Sequence, residues 1–128
     1  MMPSRFPTSN AIDNDVNSKI ISHNALRGDQ WLSLRMPDRT RIGYVAVFNR
    51  DDGNEYRAWL SPFEMWLGDA PGDRGVRHSC SSKPVTAPVE DGIGPFMIWC
   101  GGRNDLPYVT LILRSGRDRH LAIGEMKV

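Results

Sequence analysis

The chain has 128 residues, and its 16 Lys+Arg and 15 Asp+Glu leave a formal charge of +1. That length suits one domain with its own hydrophobic core, and the near-zero charge excludes a nucleic-acid partner held by counterion release from a basic surface. No stretch approaches the roughly 20 apolar residues of a membrane helix, while 4 Trp, 3 Tyr and 4 Phe supply burial that a disordered chain lacks.

The first thirty residues follow neither a helical nor a strand period and are rich in Asn, Asp and Ser, so they read as irregular. Residues 1–7 lack the apolar core of a signal peptide, which leaves either an intracellular protein or a leader outside this sequence. Trp31–Met36 is a short strand candidate, and Ile42–Phe48 is a β-branched and aromatic run. Asn49–Arg57 is a loop dense in charge and turn-formers. Phe63, Met65 and Leu67 then alternate with Glu64 and Trp66. Gly68–Pro95 is a long Gly/Pro/Ser-rich connection, followed by strand candidates at Gly94–Cys100, Pro107–Arg114 and Leu121–Val128. Pro107–Arg114 sets Val109, Leu111 and Leu113 on one face, with Tyr108, Thr110 and Ile112 on the other. Six or seven short strands between turn clusters indicate an all-β sandwich or barrel. Trp59, Trp66 and Trp99 are expected in core or inter-sheet packing.

Two cysteines, Cys80 and Cys100, are too few for a disulfide scaffold or a four-thiolate zinc site. They are enough for one bridge in an oxidising compartment, which is one way to order the long connection. The 13 Arg against 3 Lys fit either a recognition surface or a GC-rich coding bias. No nucleophile motif, phosphate loop or metal-hydrolase pattern is present, and the reading is of a non-enzyme.

His23, Arg50, Asp52 and Arg57 form the constellation with most chemical content. A neutral sugar offers no charge, only hydroxyls that donate and accept. An imidazole and two guanidinium groups give directional donors, and a carboxylate can hold a guanidinium in place. The spacing is His23, 26 residues, Arg50, one residue, Asp52, four residues, Arg57. It resembles the sugar-binding motif of the F-type lectins (fucolectins), a fucose-binding family of discoidin-like jelly-roll sandwiches. Ser9-Asn10-Ala11-Ile12-Asp13 is similar to the signature opening that family's calcium loop, and Trp31-Leu32-Ser33-Leu34 to its Trp-rich strand. Val45–Arg50 resembles the strand that delivers the first motif arginine, Pro107–Leu111 its Arg-Tyr-Val strand, and Ile123–Val128 its closing strand. The similarity runs from Ser9 to Val128, which implies a lectin domain over 9–128 behind an extension at 1–8.

The resemblance implies roles residue by residue. His23, Arg50 and Arg57 would bond the ring oxygen and hydroxyls of a terminal L-fucose, Asp52 would steer the guanidiniums, and Tyr56 would meet the fucose methyl. A structural calcium ion would take hard oxygens from Asn10, Asp13, Asp15, Ser18, Gly124 and Glu125 and pin the loop that carries His23. The Cys80–Cys100 pair matches a family disulfide, which implies a secreted or extracellular protein. Its partners would be fucosylated glycans and glycoproteins, with no nucleic acid and no membrane insertion. The sequence also departs from the pattern. Gly53 and Asn54 stand where the family has adjacent cysteines, and Ile21 and Gly124 where it has another bridge. A family segment ahead of Ser9, with its N-terminal strand, has no counterpart. That would leave an open edge for another chain to cover, so a homo-oligomer is a further expectation. The alternatives are a discoidin-like module that binds protein or lipid without sugar, and a small enzyme using His23 and Asp52 as acid and base.

Overall fold

The computed structural model describes residues 20–21, 29–50, 58–72, 78–81, 83–88, 90, 92–114 and 122–128. Nine strands lie among them: β1 (Ile20–Ile21), β2 (Gln30–Arg35), β3 (Ile42–Phe48), β4 (Glu64–Gly68), β5 (His78–Ser79), β6 (Phe96–Arg103), β7 (Tyr108–Leu113), β8 (Ala122–Ile123) and β9 (Glu125–Lys127). They pair antiparallel into a four-stranded sheet in the order β2-β7-β4-β5, a three-stranded sheet β6-β3-β9 and a small pair β1-β8.

The two larger sheets pack face to face as an all-β sandwich, and the period-two patterns in the sequence decide which side chains meet. Leu32, Leu34, Met65, Leu67, Val109, Leu111 and Leu113 point inward from one sheet; Ile42, Val45, Val47, Ile98, Cys100 and Met126 point inward from the other. The second face of β7 is covered as well, since Thr110 and Ile112 are fully buried. Register places Ser33 and Trp66 on either side of Thr110, and Trp31 and Glu64 on either side of Ile112. Above them Ser33 Oγ lies 2.5 Å from Thr110 Oγ1 and accepts the Gly72 N–H at 2.7 Å, which draws the 69–72 turn over the sheet.

The connection between β4 and β6 is more ordered than its composition suggests. It contains β5, and Phe63 and Val85 exchange both backbone hydrogen bonds, at 2.9 and 2.7 Å. Ser61 Oγ donates to the Ala87 carbonyl at 2.9 Å and accepts the Ala87 N–H at 2.6 Å. Cys80 and Cys100 are joined in a disulfide between positions 20 apart, tying the end of edge strand β5 in one sheet to the inward face of edge strand β6 in the other.

Three expectations change. The strand read at Gly94–Cys100 begins at Phe96 and continues to Arg103. Gly94 has φ +100°, and a Cβ there would lie 2.9 Å from the Val47 carbonyl oxygen, so this position turns the chain before pairing starts. The strand read at Leu121–Val128 is split by Gly124, whose N–H donates to the Phe48 carbonyl at 2.9 Å; β8 pairs with β1, and β9 with β3. The three tryptophans are not core residues. Ile98 and Cys100 occupy inward positions, so Trp99 between them faces outward, 53% exposed, with its ring 4.9 Å from that of Tyr44. Met65 and Leu67 likewise turn Trp66 outward, and Trp59 belongs to a 3-10 turn, Ala58–Leu60, rather than to a strand.

Candidate functional site

The C-terminal end of β3 gathers the described part of the candidate site. Beyond Phe48 the chain leaves the sheet through Asn49, which is fully buried and donates its N–H to the Ile93 carbonyl at 2.8 Å. Asn49 Oδ1 accepts the Arg50 N–H at 2.9 Å, which fixes the backbone where the Arg50 side chain departs. Arg50 is 5% exposed, and its guanidinium carbon stands 5.8 Å from the Trp59 ring centroid, in cation–π range. A guanidinium is the charged group best suited to such a setting, because it is weakly hydrated and keeps its planar fork when placed on an aromatic face. Leu60, fully buried, anchors the 3-10 turn that carries Trp59.

Glu125 and Gly124 reach the same end of the sheet. Phe48 is the register partner of Glu125 and accepts the Gly124 N–H. The Glu125 side chain is 1% exposed, and a buried carboxylate requires hydrogen bonds or a cation to offset its desolvation. A buried carboxylate next to a backbone carbonyl is chemically the donor type calcium takes. Among the described residues no group of three or more His, Cys, Asp and Glu comes together, so these two positions do not make a complete ligand set. β8 pairs with β1 immediately before Gly124, which brings residues 20–21, just ahead of His23, to this same end. Of the sugar-binding candidates, His23, Asp52, Tyr56 and Arg57 lie outside the described residues. So do the calcium candidates Asn10, Asp13, Asp15 and Ser18.

Trp59 is the residue that sequence reasoning misplaced. Its signal was available, because it stands two positions after Arg57, just beyond the loop that the motif defines. The alternation of Phe63, Met65 and Leu67 a few residues on drew it into a strand.

No family model matches the sequence, and no curated protein matches it. Similarity to solved structures is extensive. The lectin domain of lectinolysin, complexed with the Lewis b antigen, superposes with a TM-score of 0.74 at 18% identity, covering 98% of this chain and 84% of that one. An F-type fucolectin from the serum of the striped bass, Morone saxatilis, gives 0.73 at 22% identity, with 98% of this chain and 41% of that chain covered. A Streptococcus pneumoniae fucose-binding module gives 0.70 at 19% identity, with 98% and 83% covered. The chain therefore has the discoidin-like β-sandwich fold, the fold of these fucose-binding lectin domains.

Proposed function

We propose that the protein is a carbohydrate-binding lectin domain, spanning residues 9–128, which recognises terminal L-fucose on glycans by reversible hydrogen bonding. The observation that supports this most is Arg50. The sequence motif singles it out as a sugar donor, and it is held at the end of β3 over Trp59, on a fold used by fucose-binding domains. In this reading His23 and Arg57 complete the donor set, Asp52 orients the guanidiniums, and Tyr56 or Trp59 supplies the apolar wall for the fucose methyl. Trp59 is the aromatic beside Arg50 among the described residues. Affinity at one site would be modest, because a polar ligand must replace the water it displaces.

A structural calcium ion belongs to the same proposal. Glu125 and the Gly124 carbonyl would hold it together with Asn10, Asp13, Asp15 and Ser18, and the ion would supply charge to a buried carboxylate and fix the loop before His23. The disulfide fits an oxidising, extracellular setting. The function is tested by retention on L-fucose resin. The wild-type protein is retained and eluted by free fucose, whereas His23→Ala and Arg57→Ala pass through with unchanged circular dichroism. Retention of both variants removes the assignment.

A further inference from the structure

The outward face of the four-stranded sheet carries a separate pocket of about 240 Å³, lined by Glu64, Trp66, Ser79, Ser81, Lys83 and Pro84. Its Glu64 and Ser79 walls are fixed by bonds. Glu64 Oε1 accepts from Trp66 Nε1 at 2.9 Å and from Arg114 Nη2 at 3.0 Å, and Oε2 accepts from Arg114 Nε at 3.0 Å. Arg114 is held in turn by Asp29 at 3.0 Å. A carboxylate oxygen has two acceptor sites, so Oε2 retains one beyond its bond to Arg114. Opposite, Cys80 separates Ser79 from Ser81; it is bridged to Cys100, and its N–H donates to the Met65 carbonyl at 2.8 Å. The Ser79 hydroxyl is spent on the Ser81 carbonyl. The Ser81 hydroxyl oxygen is buried and has no hydrogen-bond partner. Such a group is rare in a folded protein and calls for a missing partner.

The charges around the pocket cancel, with Glu64 and Asp29 against Arg114 and Lys83, so an ionic ligand gains little from it. What remains is an unused hydroxyl, an acceptor site on a locked carboxylate, an ammonium donor and an indole wall. The volume is below the roughly 300–1,000 Å³ of drug-sized sites and suits one small polar molecule.

We propose that this pocket is a second carbohydrate site, which takes one neutral hexopyranose ring. Its hydroxyls bond Glu64 and Lys83, its C–H face rests on Trp66, and rotation of the Ser81 side chain brings the buried Oγ to the ring. The site shares only its ligand class with the fucose reading above and lies on the other sheet from Arg50. The test is a ¹H–¹⁵N NMR titration of the whole chain with methyl β-D-galactopyranoside, methyl α-D-mannopyranoside and methyl α-L-fucopyranoside, each to about 50 mM, which captures millimolar affinities. At least one glycoside shifts the Trp66 indole N–H and the amides of Ser79, Ser81 and Lys83 along a saturable curve. Ser81→Ala and Lys83→Ala each weaken that curve at least about five-fold, without lowering the melting temperature, and Arg50→Lys leaves it unchanged. The proposal is overturned if no glycoside moves these signals, if glycine moves them and the glycosides do not, or if either variant binds as tightly as wild type. The amides of Asn49 and Arg50 report the fucose site in the same spectra, so the two readings fail separately.

Discussion

Arg50 and Glu64 show how differently two ionised side chains can be used on one sandwich. Arg50 departs from a fixed backbone position, and in the proposed reading its value to a sugar would lie in the geometry of its donor fork rather than in charge. Arg50→Lys keeps the charge but loses the fork, and is expected to weaken fucose binding at least about ten-fold, or about 1.4 kcal/mol, by calorimetric titration. Glu64 is structural. Its hydrogen bonds from Arg114, reinforced by Trp66, hold its carboxyl below the usual carboxylate range in spite of partial burial. The unfolded chain therefore binds that proton more readily than the folded one. The stability this group contributes is complete above its unfolded pKa of about 4.3 and is lost as pH falls through the lowered folded value. Glu64→Gln is expected to cost about 1–2 kcal/mol at pH 7 in urea denaturation and to flatten the acid limb of the stability profile. Arg50 was legible in the sequence because a spacing marks it. The Glu64–Arg114–Asp29 cluster was not, since Arg114 is 50 and 85 positions from its two partners and meets them only when β4 and β2 pair with β7.

At the level of elements, alternation located the strands, while the outer faces needed three-dimensional context. The inward sets Phe63, Met65, Leu67 and Val109, Leu111, Leu113 follow directly from period two. The same rule, applied strictly, turns Trp66 and Trp99 outward; large aromatic rings drew them into the expected core, although parity decides. Strand ends were less legible, because Gly94 and Gly124 act through contacts with Val47 and Phe48 on a distant strand. Gly72 makes a similar point. It has φ +74°, and a Cβ would lie 2.8 Å from the Trp31 ring. Gly72→Ala is expected to lower stability by about 1–2 kcal/mol and to lift the 69–72 turn from the sheet, seen as faster amide exchange at Gly72. The Cys80–Cys100 bridge closes a loop across positions 20 apart, so its reduction is expected to remove about 3 kcal/mol from the unfolding free energy.

On the scale of the whole molecule, the sandwich brings Arg50, Glu125, Gly124 and the approach to His23 to one end of the three-stranded sheet from three separated stretches of sequence. A near-neutral chain with 13 arginines thus commits one of them to a buried position against Trp59. If calcium sits beside Glu125, chelation lowers the melting temperature and added calcium restores it; an unchanged transition with chelator contradicts the ion. The lectin and the discoidin-like readings share this fold, and only ligand selection separates them. The most direct measurement is a glycan array probed with the whole chain in the presence of calcium. The prediction is that glycans with terminal L-fucose are bound, that free fucose competes with them, and that this fucose-dependent binding is lost in His23→Ala. Binding indifferent to fucose, or no glycan bound while lipid vesicles or a protein partner are, contradicts it.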